Sequence, residues 1–149
     1  MLDHAKLLIL FAGLAFSFSV QALEYRSISL AKVITYDAPS KEASKLYILG
    51  GGYPVEVIVN LGDWIKVRDN QGGLSWVESK SLTTKRTVLV LNKTDIKASE
   101  DATSALVATV EKDVVLELLA GSTNSNWVKV KHRDGVTGFV QVDKLWGFN

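Results

Sequence analysis

The sequence predicts an all-β protein made of two consecutive copies of one small β unit. Trp64 is followed by Ile-Lys-Val, and Trp127, which lies 63 residues later, is followed by Val-Lys-Val. Each copy then continues to a glycine, a second aromatic residue that precedes valine, and a closing leucine. A repeat of this length duplicates a whole small domain and not a solenoid unit. Short strands at close spacing, without a long helical period, indicate sandwiches or barrels.

The first 22 residues are predicted to be a secretory signal that is not part of the fold. Lys6 precedes an apolar run at 7–20, and Val20-Gln21-Ala22 offers small residues where a signal peptidase cleaves. The run is shorter than the roughly 20 residues that span a bilayer. A retained N-terminal anchor is the alternative. The chain has no cysteine, so a lipid-modified cysteine is excluded.

The rest of the chain divides into two units of similar size. We place the first at residues 23–84 and the second at residues 85–149. Domains this small have little core relative to their surface, and without cysteine no disulfide compensates. We therefore expect the two copies to pack against each other. Trp146 and Phe148, close to the C terminus, are expected to seal a barrel or the contact between the copies.

Strand runs and turn residues alternate through both units. Apolar and β-branched runs predict strands at 28–34, 55–59, 87–91 and 114–118. Turn-forming residues separate them at 37–40, 50–52, 60–63 and 121–126. Residues 102–112 admit a helical turn as an alternative, but Val107, Thr109 and Val110 favour an extended chain.

The strand that begins at each tryptophan shows which face is buried. Because side chains alternate along a strand, Ile65 and Val67 share one face. The opposite face of the two strands carries the tryptophans and the basic side chains: Trp64, Lys66 and Arg68 in the first copy, Trp127, Lys129 and Lys131 in the second. Lysine and arginine are almost never fully buried, so the aliphatic face is the predicted core face.

Each of these strands is predicted to turn back through a three-residue loop that ends in glycine. The loops are Asn70-Gln71-Gly72 and Arg133-Asp134-Gly135, in which glycine supplies the left-handed residue of a turn with a bulge. This register places Lys66 opposite Trp76 and Lys129 opposite Phe139. A two-residue turn at Asp134-Gly135 is the competing possibility, and it would place Val130 opposite Phe139.

Two interpretations of the outer aromatic rings remain open at this point. Burying one such ring is worth about 4–6 kcal/mol, which favours loops or the other copy covering the rings as a second small core. The alternative is a shallow, half-exposed aromatic groove edged by cations. The candidate ligand-binding residues are Trp64, Trp76, Lys66, Arg68, Tyr36, Tyr53, Trp127, Phe139, Lys129 and Lys131.

The repeated pattern resembles the bacterial SH3 fold. Trp-x-Lys-Val, a glycine turn, Trp or Phe before Val, and a final Leu carry the resemblance, and Tyr53-Pro54-Val55-Glu56-Val57 strengthens it. The resemblance implies a secreted, periplasmic proteobacterial protein with two tandem SH3-like barrels of about five strands each. It also implies a binding module for cell-wall peptide, peptidoglycan or an envelope protein. The second copy lacks the Pro39-Ser40 turn, so it is expected to be mainly structural.

Residue types suited to catalysis or metal binding are scarce. The chain has no cysteine, and after the predicted signal its one histidine is His132. Thiolate chemistry is therefore excluded, and a histidine metal cluster has too few ligands. The 17 Lys and Arg residues are nearly balanced by 16 Asp and Glu residues, so the charge composition indicates no positive electrostatic potential that would attract nucleic acid.

We accordingly predict a non-enzymatic protein with no catalytic residue, no metal and no cofactor. Its predicted partners exclude nucleic acid, and no stable membrane insertion is expected once the signal is cleaved. The alternative functions are a structural or assembly protein of the envelope, with the rings buried between the copies, and a small hydrolase that uses paired carboxylates.

Overall fold

The computed structural model describes residues 22–119 and 126–148. The predicted signal, apart from Ala22, and the turn predicted at 121–126, apart from Asn126, lie outside these residues. The described residues form fourteen strands, arranged as two seven-stranded antiparallel sheets. In this part of the chain, no helix combines the length and apolar character needed to cross a membrane. The all-β prediction is therefore confirmed.

The first copy forms the first sheet. Its strands are β1 Tyr25–Ile28, β2 Lys32–Tyr36, β3 Lys45–Gly50, β4 Pro54–Asn60, β5 Trp64–Arg68, β6 Leu74–Glu78 and β7 Leu82–Thr83. A 3₁₀ turn, Ser79–Ser81, joins β6 to β7. The strand order is β3-β2-β6-β5-β4-β1-β7.

The second copy repeats this arrangement strand for strand. Its strands are β8 Thr87–Val90, β9 Thr94–Lys97, β10 Leu106–Val110, β11 Val115–Leu118, β12 Trp127–Lys131, β13 Thr137–Gln141 and β14 Leu145–Trp146. A 3₁₀ turn, Val142–Lys144, again precedes the last strand. The order β10-β9-β13-β12-β11-β8-β14 is the order of the first sheet with each strand replaced by its counterpart. Strand β10 confirms the extended chain predicted within residues 102–112.

Each copy has seven strands instead of the five that the resemblance implied. The additional pairing joins the two ends of a copy, since β1 lies beside β7 with Ser27 opposite Thr83 and Ile28 opposite Leu82. The predicted strand at 28–34 is also wrong as a single element. A bend at Leu30 and Ala31 separates β1 from β2 and leaves Leu30 exposed.

The two cores contain the aliphatic face that the alternation predicted. Ile65, Val67, Val128 and Val130 are all at most 2% exposed. The first core consists of Ile28, Val33, Leu49, Val55, Ile65, Val67 and Val77. The second consists of Val88, Val90, Ile96, Val110, Leu116, Val128, Val130, Val140 and Leu145.

The hairpin register is confirmed in both copies. Lys66 lies opposite Trp76, and Lys129 lies opposite Phe139. Gly72 and Gly135 have φ values of 85° and 97°, the left-handed conformation that the loop requires. The competing two-residue turn is wrong, because the residue opposite Val130 is Gly138.

The connection between the copies is short and hydrogen-bonded on both sides. Strand β7 ends at Thr83 and β8 begins at Thr87. The Thr87 hydroxyl donates to the Gly52 carbonyl oxygen at 2.6 Å, and the Ser27 hydroxyl donates to the Lys85 carbonyl oxygen at 2.7 Å. These bonds tie backbone of one copy to side chains of the other.

Aromatic rings fill the junction between the copies. Trp146 lies edge-on to Tyr25 and also contacts Tyr53, with ring centroids 5.3 Å and 6.5 Å apart. The Arg86 guanidinium lies 5.5 Å from the Tyr25 ring centroid, and Phe148 packs against the second core. The predicted packing of the copies and the sealing role of Trp146 and Phe148 are confirmed.

Candidate ligand-binding face

Three rings and one ammonium group lie together on the outer surface of the first copy. Tyr36 lies opposite Trp76 across β2 and β6. The Tyr36 ring meets the Trp64 ring edge-on, with centroids 5.5 Å apart and planes at 89°. The Lys66 Nζ lies 6.0 Å from the Trp76 ring centroid. We call Tyr36, Trp64, Trp76 and Lys66 the aromatic face; all four side chains are half-buried.

Strand alternation turns the Tyr36 ring outward. Thr35 is fully buried, and its hydroxyl donates to the Tyr47 carbonyl oxygen at 3.0 Å and accepts from the Tyr47 N–H at 3.2 Å. Because the neighbouring side chain must point to the opposite side of the strand, Tyr36 faces away from the core. A bulge between Ile34 and Tyr36 shifts the β2–β3 register at this point.

Aliphatic side chains extend the aromatic face along β2 and β3. Ile34 and Ile48 lie opposite each other and are 36% and 60% exposed, and Leu46 on the same edge strand is also exposed. None of these residues was a predicted candidate, and Ile34 falls within the apolar run at 28–34. Alternation applied to β2, with Val33 and Thr35 inward, would have identified Ile34 as an outward residue.

A polar cleft of 420 Å³ adjoins Trp64. Glu78 lies in its wall between two ammonium groups, with Lys41 Nζ at 3.3 Å and Lys80 Nζ at 3.4 Å from its Oε1. Desolvation alone would raise the pKa of Glu78, but the hydrogen bonds and charges of Lys41 and Lys80 outweigh it and lower the pKa. Two cations therefore stand beside an apolar surface, where a ligand carboxylate would find charged donors.

The equivalent surface of the second copy keeps two aromatic residues but lacks the tyrosine. Trp127 and Phe139 are half-buried, like their counterparts. Phe139 lies opposite Lys97, whereas Trp76 lies opposite Tyr36. A charged side chain therefore occupies the position of the ring that contacts Trp64.

The aliphatic extension is also missing from the second copy. Asp95 and Thr109 lie opposite each other at the positions of Ile34 and Ile48. The Thr109 hydroxyl donates to Asp95 Oδ1 at 2.8 Å. The two copies thus share a fold and a core, but differ in the chemistry of their outer faces.

The structure does not place all the predicted candidates on the aromatic face. The Arg68 Nη1 lies 3.1 Å from Glu56 Oε2, and Glu56 is buried. Lys129 is exposed on β12, and Lys131 lines a cleft between the copies. Both remain candidates on the second copy.

Tyr53 lies at the junction and not on the aromatic face. Its hydroxyl donates to Asn70 Oδ1 and its ring contacts Trp146. Burial raises its pKa above the ordinary value of 10.0. Tyr53 lies apart from Trp64 because it precedes β4 on the side that meets the second copy, and its role in ligand binding stays a prediction. The rings found between the copies are Tyr25, Tyr53 and Trp146.

The ion pairs of the described residues include the group of Glu78 with Lys41 and Lys80 and several simple pairs. In this part of the chain, no three His, Cys, Asp or Glu side chains are grouped as a metal site would need. His132 Nδ1 lies 2.8 Å from Asp134 Oδ1 at the end of the β12–β13 hairpin. The pKa of Asp134 is lowered by the backbone N–H of Val136 and then by His132.

Comparison with solved structures gives several similar chains, whereas comparison with curated proteins gives none. No curated protein matches the chain. NlpC2 from Trichomonas vaginalis is 16% identical over 86% of this chain and 49% of that chain, with a TM-score of 0.40. NlpC1 from the same organism is 18% identical over 87% and 47%, with a TM-score of 0.39. An NlpC/P60 family protein from Bacillus cereus ATCC 10987 is 16% identical over 82% and 55%, with a TM-score of 0.37. The chain spans about half the length of these structures.

Comparison with protein families gives the same family in both copies. The family model described as "Bacterial SH3 domain" matches residues 31–83 and, a second time, residues 98–147. The two matches together cover more than half of the chain. They span β2 to β7 of the first copy and β10 to β14 of the second. The chain therefore belongs to the bacterial SH3 domain family, whose domains are generally cell-wall binding modules.

Proposed function

We propose that this protein is a non-catalytic, secreted binding protein of the cell envelope. Its first copy binds a cell-wall peptide or an envelope protein through the aromatic face. The observation that carries the proposal is the half-buried cluster of Tyr36, Trp64 and Trp76 with Lys66 against the Trp76 ring. The predicted signal at residues 1–22 supports a periplasmic location.

The exposed apolar residues support binding at this surface. Aromatic rings and aliphatic side chains that are contiguous and rimmed by polar groups mark interaction sites on soluble proteins. The aromatic face continues into Ile34 and Ile48, while Lys41 and Lys80 stand beside Trp64 at its polar end. A peptide that carries both apolar side chains and a carboxylate matches this arrangement.

The difference between the copies supports assigning the site to the first. Both copies conserve the hairpin register, so the change of Tyr36 to Lys97 is not required by the fold. The same holds for the change of Ile34 and Ile48 to Asp95 and Thr109. A polar outer face needs no partner, whereas an apolar one gains from being covered.

Co-sedimentation with insoluble peptidoglycan tests the proposal. We expect Trp64→Ala with Trp76→Ala to weaken binding by about tenfold or more, because aromatic residues near the centre of an interface carry most of its energy. The matched control is Trp127→Ala with Phe139→Ala, which removes the equivalent rings of the second copy. We expect this control to bind within about twofold of the unmodified protein.

Two results would contradict the proposal. The first is that the unmodified protein retains neither peptidoglycan nor any protein from an envelope extract. The second is that the control variant loses as much binding as the first-copy variant. That result would mean either that both copies bind or that the variants have unfolded. Circular dichroism of the variants would distinguish these two explanations.

A structural or assembly role is the second candidate. The contact of Trp146 with Tyr25 and Tyr53 favours it, because this contact holds the two copies as one unit. A protein of this kind would act as a spacer with partners elsewhere on its surface. In that case the first-copy variant would bind peptidoglycan and envelope proteins as the unmodified protein does.

A further inference from the structure

A second cleft lies between the two copies. It has a volume of 670 Å³ and is lined by Gly51 and Gly52 from the first copy and by Lys131 and Arg133 from the second. Lys85, in the connection between the copies, also lines the cleft. We call this the junction cleft. It is separate from the aromatic face, none of whose side chains line it.

The junction cleft is held in shape by the contacts between the copies. The hydrogen bond from the Thr87 hydroxyl to the Gly52 carbonyl oxygen crosses it. Gly52 has a φ of +77°, so a side chain at this position would be strained. Pre-formed clefts of roughly 300–1,000 Å³ are typical ligand sites.

One ion pair differs between the copies in a way that affects this cleft. In the first copy Glu56 lies opposite Arg68, and the two side chains form an ion pair at 3.1 Å. In the second copy the equivalent residues, Glu117 and Lys131, again lie opposite each other. There, however, Glu117 Oε2 lies 3.1 Å from Lys85 Nζ. Glu117 therefore pairs with Lys85 of the connection between the copies and not with Lys131. Lys131 has no ion-pair partner among the described residues.

The remaining charges leave the junction cleft cationic. Arg133, like Lys131, is exposed and has no ion-pair partner in the described part of the chain. Lys85 and Glu117 neutralise each other, so these two cations face one remaining carboxylate of the lining, Asp113. Among the described residues, Asp113 is also the one non-glycine residue whose φ is positive, at 66°.

We propose that the junction cleft binds carboxylate groups of an acidic peptide, as a second site on this protein. Arg133 supplies a planar donor that matches a carboxylate, and Lys131 supplies a point charge beside it. Lys131 is available because Lys85 neutralises Glu117. A phosphate-bearing polymer is the other source of anionic oxygens, and the experiment below distinguishes it.

Fluorescence anisotropy with a fluorescein-labelled hexaglutamate peptide tests the proposal on the whole protein. We expect Lys131→Gln with Arg133→Gln to weaken binding by about tenfold, the effect of losing a charge-assisted hydrogen bond. The matched control is Lys93→Gln with Lys144→Gln, which removes the same charge from residues that do not line the cleft. We expect Glu117→Gln to strengthen binding, because it removes an opposing carboxylate.

The proposal is overturned if hexaglutamate shows no saturable binding, or if the control variant loses as much affinity as the cleft variant. It is also overturned if a labelled polyphosphate of equal charge binds the cleft more tightly than hexaglutamate. Trp64→Ala with Trp76→Ala is expected to leave hexaglutamate binding unchanged. The junction cleft and the proposed function of the aromatic face are thus tested independently.

Discussion

Trp146 meets Tyr25 edge-on, with ring centroids 5.3 Å apart and planes at 90°. Tyr25 begins the first strand of the first copy and Trp146 ends the last strand of the second, so one ring contact joins the two ends of the described fold. Edge-to-face pairs contribute about 0.5–1.5 kcal/mol beyond the area that they bury. Two units that are each small thereby gain a shared aromatic core.

Replacing Trp146 with alanine should destabilise both copies. We expect Trp146→Ala to lower the free energy of unfolding by about 3 kcal/mol, since it removes a ring that contacts Tyr25 and Tyr53. Urea unfolding followed by circular dichroism should then show two transitions instead of one. Trp146→Phe is the control, and it should retain a single transition. An unchanged midpoint for the alanine variant would show that the junction does not couple the copies.

A side chain at Gly138 should disrupt the second core. A Cβ there would lie 2.5 Å from Ile96 Cγ2 and 2.6 Å from the Lys97 carbonyl oxygen. We expect Gly138→Ala to cost about 1–3 kcal/mol of unfolding free energy, the range for overpacked cores. Gly50→Ala is the control, because a Cβ at Gly50 would meet nothing within 4 Å. Equal urea midpoints for the two variants would contradict this prediction.

Stability should fall in alkaline solution because of Tyr25. Desolvation, followed by the charge of Glu56, raises the pKa of Tyr25 above its ordinary value of 10.0, although Arg86 and Arg68 act in the opposite direction. The folded state therefore holds the phenolic proton more tightly than the unfolded state. This stabilisation is complete below pH 10.0 and is lost as the pH rises through the folded-state pKa.

The Tyr25→Phe variant provides the measurement. It keeps the ring beside Trp146 but has no phenol to ionise, so its unfolding free energy should decline less above pH 10 than that of the unmodified protein. Urea unfolding between about pH 8 and pH 11 would record the two curves. Parallel curves over this range would show that ionisation of Tyr25 is not linked to folding.

The second copy should acquire binding if it is given the outer residues of the first. In a Trp64→Ala, Trp76→Ala background, we expect Asp95→Ile, Lys97→Tyr and Thr109→Ile to raise co-sedimentation with peptidoglycan by about fivefold or more. The reason is that these changes recreate a ring beside Trp127 and an apolar extension. The Lys97→Ala change alone, which removes charge without adding a ring, should give no increase.

An unchanged level of co-sedimentation in the triple variant would contradict the assignment of binding to the outer face. Circular dichroism must accompany the measurement, because the Asp95→Ile change removes the hydrogen bond from Thr109. A folded triple variant without binding would place recognition in the polar cleft beside Trp64, where Lys41 and Lys80 flank Glu78.

The sequence determined the duplicated hairpin and its two faces. A hairpin register follows from alternation and from the turn, both of which act over about fifteen residues or fewer. Ile65 and Val67 were therefore assigned to the core, and Lys66 was placed opposite Trp76, from local pattern alone. The agreement of the two copies favoured this register, and the pairing of Val130 with Gly138 in the structure excluded the competing two-residue turn.

Only the tertiary structure decided where the two copies meet and which residues are buried at the contact between them. Tyr53 lies beside Trp146. Glu117 forms its ion pair with Lys85 instead of with Lys131, the residue opposite it in the sheet. These contacts join residues that are distant in sequence, and no alternation or spacing rule specifies them. They depend on the free energy gained when two small cores, each with too much surface for its volume, cover one another.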